Sequence, residues 1–277
     1  MKQIRYSAGN EGYCNVCGTF GRLTFDHVPP RSCVGIRKRR AALLTEAMDC
    51  GDLGWYKSRH FQDGLKFKSI CNTCNSDVLG SRYDPHLKQF AGDISRVVDL
   101  AFNKGIALPG KVFISISLQR VVRSIIGHAM AAYVREDMTT PPRSAPYLDA
   151  LRSYFLNESQ PIPDQLEIYY WIYPSDIQVI ILGCGLSCFG SKTTIVGDLL
   201  KFYPVAFWVV WSPPAVNVGV PSLIGKRNIG IDDFIEVPVS LWRPPRLDWP
   251  ENPANDQFVL LNSEVAYIAK RKRKKQK

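Results

Sequence analysis

Four cysteines in two C-x-x-C pairs, Cys14 with Cys17 and Cys71 with Cys74, constrain the fold of this 277-residue chain more than any other feature. A two-residue gap lets both sulfurs of a pair reach one ion from a tight turn, and four thiolates can surround a Zn²⁺ ion tetrahedrally. Residues 18–70 separate the pairs, more than in a simple zinc ribbon. A structural zinc would therefore pin the two ends of a long loop, and that loop must contain structure of its own. Cys33 and Cys50 are alternative ligands by position, though each reads more naturally as a small buried residue. Cys184 and Cys188 fall in an apolar stretch and read as core. The opening "MKQIRYSAGNEGYC" has no apolar h-region. Metal binding therefore accounts for the paired cysteines better than redox chemistry or a secreted disulfide framework.

The expected class is α+β, in two or three units with a real hydrophobic core. Residues 1–95 hold most of the cysteines and histidines. Residues 96–157 read as helical. In "SLQRVVRSIIGHAMAAYVRE", Leu118, Val121, Val122, Ile125, Ile126, Ala129 and Met130 recur at helical spacing, with Arg120 and Arg123 free to face outward. Gly127 weakens that helix slightly. Residues 158–265 carry β-branched and aromatic runs, "QLEIYYWIY", "IQVIILG", "KTTIVG", "VAFWVVW" and "FIEVPVSLW", separated by turn residues. They suggest a mostly antiparallel, β-rich domain. None of the apolar runs reaches the roughly 20 residues that a membrane span needs. Residues 266–277, ending in "KRKRKKQK", read as a basic tail.

Inside the cysteine-bounded loop, "RLTFDHVPP" alternates like a short strand and ends on Asp26 and His27. Asn75 directly follows Cys74, where a helix could begin. The order C-x-x-C, Asp-His-x-x-Pro, C-x-x-C-Asn, over residues 14–80, resembles the HNH, or ββα-metal, endonuclease family. The resemblance implies a zinc-braced ββα-metal module in which Asp26 ligates a catalytic ion, His27 is the general base, and Asn75 supplies a second ligand from the helix. The cysteines would then hold a separate zinc. The chemistry is compatible on its own terms. Histidine can take a proton from water near neutral pH, a divalent ion supplies charge at a scissile phosphate, and oxygen ligands favour Mg²⁺ or Mn²⁺. In a regular strand Asp26 and His27 would face opposite sides, so the backbone must distort there, and the prolines that follow are a candidate cause.

The chain also departs from the family pattern. The usual middle Asn is missing, and "GLKFKSIC" places Lys66 near its position. His60, or a backbone contact, is the expected replacement. Residues 34–64 read as an insertion containing a helix. Asp84-Pro85 reads as the cap and first residue of a further helix, with His86 solvated in its first turn. His128 reads as a packed residue of the helical region.

The formal net charge of +10 favours an anionic partner. Arg37, Lys38, Arg39 and Arg40 cluster in the insertion, near Trp55, Tyr56, Lys57 and Arg59, as candidate nucleic-acid contacts. The leading expectation is a metal-dependent endonuclease acting on DNA, in restriction or phage defence. The alternatives are a non-catalytic zinc-stabilised nucleic-acid-binding protein and an RNA-directed nuclease. A protein partner or self-association would use the C-terminal region. A bacterial cytoplasm is the expected location, or a nucleus for a eukaryotic source.

Overall fold

The structure, a computed structural model, describes residues 4–35, 37–49, 58–142, 144–190, 193–213, 218–242, 244–253 and 256–271. It is a mixed α/β chain in which every pairing between named strands is antiparallel among the described residues.

The N-terminal part is built on a small sheet. Strands β1 (Glu11–Tyr13) and β2 (Phe20–His27) form a hairpin, and β5 (Lys66–Cys71) pairs with the far edge of β2. The β2–β5 register slips between Thr24 and Phe25, where Ser69 of β5 is the extra, bulged residue. Strand β5 runs directly into a long helical rod. Its first part, Thr73–Tyr83, has wide π-type turns, α3 (Asp84–Val98) is regular, and Asp99–Asn103 widens again. Pro85 explains the first transition. Its ring would collide with the carbonyl four residues back in a tight helix, and wider turns before it relieve that contact. Asp84 and Pro85 do open the regular helix, as expected, but that helix continues the wide turns before it in one rod. A short turn of helix, α1 (Arg31–Val34), follows the prolines after His27.

The loop between the cysteine pairs contributes more than a helix. It forms β3 (Arg39–Leu43), α2 (Leu44–Asp49) and β4 (Arg59–Phe61). These strands join a large sheet made mainly by the C-terminal region: β7 (Leu166–Ile172), β8 (Gln178–Cys188), β9 (Thr194–Phe202), β10 (Val205–Trp211), β12 (Gln257–Leu260) and β13 (Ala266–Arg271). Its order is β4-β3-β13-β8-β9-β10-β7, with β12 also pairing with β8. The expected tail thus begins with a strand, because Ala266–Arg271 bridges β3 and β8. Residues 272–277 lie outside the described residues. The middle region is not wholly helical either. Strand β6 (Lys111–Ile116) pairs with β11 (Ile235–Ser240) in a separate two-stranded sheet.

Helix α4 (Leu118–Ala131) lies at the centre, and every residue except Arg120 is buried. Gly127 is where it passes closest to its neighbours. A Cβ there would come within 2.6 Å of both Leu79 and Phe155. Arg123, expected to face outward, is fully buried. It stacks on Tyr154 of α5 (Pro146–Leu156) and donates to the carbonyls of Tyr154, Asn157 and Gln160 at and beyond the end of that helix. Buried apolar residues from Ile4 to Ala269 form one core, and a second core on the sheet gathers Trp171 and Trp208, with Trp249 against it. Cys184 belongs to this second core, but Cys188 is exposed, contrary to expectation.

Candidate metal centre and active-site cleft

Cys14 and Cys17 sit in the turn between β1 and β2, while Cys71 ends β5 and Cys74 opens the helical rod. One ligand atom from each lies within 4.8 Å of the others. Cys17 Sγ and Cys71 Sγ are 3.8 Å apart. Tetrahedral zinc with bonds near 2.3 Å needs sulfurs about 3.8 Å apart, so this donor set fits a structural zinc. The turn is shaped for it. Gly18 takes φ +70°, a left-handed conformation that suits glycine, and its N–H donates to Cys14 O at 2.9 Å. The Cys71 N–H points at Cys14 Sγ at 3.3 Å. The hydrogen bond from Cys74 draws the Cys14 thiol down to about 5 and pushes Cys74 up. Cys33 lies apart from this cluster, its thiol raised by burial to about 12, and Cys50 lies outside the described residues.

Asp26, His27 and Asn75 line one cleft of about 590 Å³, together with Arg31, Asp84 and Lys88. The β2–β5 register slip leaves Ser69 of β5 as the extra residue, a bulge opposite Thr24 and Phe25 just before Asp26. Asn75 secures the bulge. Its Nδ2 donates to Thr24 Oγ1 at 3.0 Å and to Phe25 O at 2.9 Å, which leaves the amide oxygen as its acceptor end. Thr24 Oγ1 in turn donates to Ile70 O across the sheet.

One neighbour of His27 was not foreseen. His27 Nε2 lies 3.6 Å from Asp63 Oδ2, and Lys66 Nζ holds the same oxygen at 3.0 Å. At 3.6 Å the contact is electrostatic rather than a hydrogen bond, and His27 Nε2 is buried without a hydrogen-bond partner among the described residues. Burial lowers the His27 pKa below 6.5 despite the opposing pull of Asp63 and Asp26, and Lys66 and Arg31 lower it further. The imidazole is therefore a neutral base at pH 7. His60 does not replace the missing middle Asn. It is exposed on β4, opposite Arg40, and does not line the cleft.

The larger surprise is His128. It is buried, as expected, but between two carboxylates: Nδ1 lies 2.8 Å from Asp26 Oδ2 and Nε2 lies 2.9 Å from Asp84 Oδ1. Ser124, one turn earlier on α4, donates to the same Asp84 oxygen at 2.7 Å. Burial alone would lower the His128 pKa, yet the flanking Asp26 and Asp84 raise it to about 10. The ring is an imidazolium fixed under the cleft. It orients both carboxylates while leaving the second oxygen of each for other work.

The basic cluster divides. Arg37 and Lys38 are exposed. Arg39 is buried and donates to Asp176 O at 2.5 Å, which corrects its assignment as a nucleic-acid contact. Arg40 bonds the Ser58 hydroxyl. None of the four lines the cleft, whereas Arg31 and Lys88 do. Trp55, Tyr56 and Lys57 lie outside the described residues. No helix among the described residues is long and apolar enough to cross a membrane.

No protein-family model matches this chain, and neither a curated protein nor a solved structure matches it.

Proposed function

We propose that the protein is a metal-dependent endonuclease of the HNH type that hydrolyses phosphodiester bonds in DNA. The observation that carries this reading is the convergence of a carboxylate, an imidazole and an amide oxygen on one cleft, at the end of a hairpin that runs into a helix from a four-cysteine clamp. Asp26 and Asn75 would hold a Mg²⁺ or Mn²⁺ ion, since both offer oxygen donors that suit a hard cation. Such an ion supplies positive charge at the scissile phosphate and the leaving oxygen.

The remaining work falls to the chain's own side chains. His27 takes the proton from the attacking water. With Nε2 turned toward Asp63, the acceptor is Nδ1, and its lowered pKa keeps it free of a proton at neutral pH. Arg31 and Lys88 flank the same cleft and neutralise phosphates on either side of the break. His128 fixes Asp26 in place from below, so the carboxylate meets its ion without first having to be ordered.

A non-catalytic binding protein is the competing reading, since one oxygen of Asp26 is already committed to His128. Supercoiled plasmid, single-stranded DNA and structured RNA, each incubated with Mg²⁺ or Mn²⁺, separate the cases. The proposal expects nicking of plasmid by the wild type, and a loss of about 100-fold or more in His27→Ala. Binding with no cleavage would favour the competing reading. Nicking unchanged in His27→Ala would remove His27 from the reaction, and breakdown of RNA alone would move the substrate class.

A further inference from the structure

The outer face of the N-terminal sheet carries an aromatic surface that the cleft chemistry leaves unused. Phe25 lies two residues before His27 on β2, with the buried Asp26 between them. Residues at i and i+2 of a strand share a face, so the Phe25 ring and the His27 imidazole are neighbours about 7 Å apart along the strand. Phe25 borders the cleft and is 39% exposed. Strand β5 sets Lys68 opposite Phe25 and Lys66 opposite His27. Their ammonium groups lie 5.4 Å and 5.2 Å from the centre of the Phe25 ring.

The surface continues away from the cleft. The Tyr6 ring lies nearly parallel to Phe25, with ring centres 6.3 Å apart, and the Arg59 guanidinium of β4 sits 3.9 Å from the centre of the Tyr6 ring. Asp63 offsets Lys66 at 3.0 Å, and Asp26 and Asp84 are spent on His128 on the buried side. The Lys68 ammonium donates to the neutral Asn10 side chain, and neither Lys68 nor Arg59 forms an ion pair among the described residues. An exposed aromatic ring bordered by such cations matches the chemistry of an unpaired nucleotide. The π-face of a base stacks on the ring while the cations take the phosphates on either side. In a duplex the base faces are covered by their neighbours, so this contact requires a base out of the stack.

We propose that Phe25, with Tyr6 beside it, is a stacking platform for one unpaired base of a DNA strand whose backbone runs past Lys66, Lys68 and Arg59. The placement of that base, next to the phosphate that His27 addresses, rests on the endonuclease reading; the stacking itself does not. Under that reading the preferred substrate is a strand with unpaired bases at the break.

Fluorescence anisotropy of the full, zinc-loaded chain tests the stacking, without added Mg²⁺ or Mn²⁺ so that nothing is cut. The probes are a labelled thymidylate strand of about 12 nucleotides and the same strand with every base removed. The thymidylate strand should bind about tenfold more tightly than the abasic one. Phe25→Leu keeps an apolar side chain but removes the π-face. It should bring thymidylate down to the abasic level and leave the abasic strand as tightly bound as before. Lys68→Gln should weaken both strands by one factor and reduce the salt dependence by about one counterion. Equal affinity of the wild type for the two strands would overturn the proposal, as would a full preference for thymidylate in Phe25→Leu. Loss of both strands alike in Phe25→Leu would assign the ring to the fold and also overturn it. Tighter binding of a uridylate strand would overturn the DNA assignment. Base-dependent binding by a chain that cuts nothing once Mg²⁺ is added would support the platform and sink the endonuclease reading. Cleavage without base dependence would do the reverse.

Discussion

Replacing His128 by leucine tests how the cleft is held together. The side chains are similar in bulk, so the change is mainly one of charge. It strands the Asp26 and Asp84 carboxylates beside a buried apolar group, with only Ser124 still donating to Asp84. Removing one partner from a buried ion pair costs about 3–5 kcal/mol. Proton linkage gives the same order. Holding the imidazole at about 10 against an ordinary 6.5, at about 1.4 kcal/mol per tenfold change, corresponds to roughly 5 kcal/mol. Because the folded protein binds this proton more tightly than the unfolded chain, the stabilisation is fully present below about pH 6.5. It fades as the pH rises through about 10. Thermal unfolding followed by near-ultraviolet circular dichroism, without added Mg²⁺ or Mn²⁺, should show His128→Leu melting roughly 10 °C lower at pH 6. By pH 8, part of the way through that decline, the gap should have shrunk to roughly 60% of its size at pH 6. Adding Asp26→Asn and Asp84→Asn to the leucine variant should recover most of the loss, because no charge is then stranded. A single variant that melts within about 1 °C of the wild type would refute the ion-pair reasoning.

Other outcomes follow from individual sites. Cys74→Ser should reduce bound zinc from about one ion per chain to a small fraction, as read by atomic emission, and lower the melting temperature; full zinc content would contradict the clamp. If His27 is the base, the cleavage rate should rise with pH through a midpoint below 6.5 and be level by pH 7, since burial depresses its proton affinity. An acid midpoint above 7 would rule out that assignment. Gly127→Ala should destabilise by about 1–3 kcal/mol in urea titrations, because overpacking against Leu79 and Phe155 outweighs the helix propensity that alanine adds.

Much of this architecture is local and therefore readable in the chain. "VAFWVVW" becomes β10 because a buried central strand needs an unbroken apolar run, and the cysteine spacing brings four sulfurs together because one pair sits in a tight turn and the other at the step from strand into helix. What escaped was long-range. Nothing near Lys111–Ile116 announces that it will pair with Ile235–Ser240, and the lysines and arginines after Ala269 disguise a strand whose first half is buried. "RKRR" reads as a solvated run, yet pairing of β3 with both β13 and β4 draws Arg39 inside. The site shows the same division. The Asp26–His27–Asn75 set comes from motif residues, whereas Asp84 reaches the cleft, and Asp63 reaches His27, only through the fold. His128 did leave a signal. A titratable residue on the buried face of a largely apolar helix must find polar partners, and acidic residues elsewhere in the chain were available ones.

Mn²⁺ binding followed by electron paramagnetic resonance addresses the central claim most directly. The account predicts one Mn²⁺ site per zinc-loaded chain, lost in Asp26→Asn, weakened in Asn75→Ala and retained in His27→Ala. A Mn²⁺ site indifferent to Asp26→Asn, or none in the wild type, would contradict it.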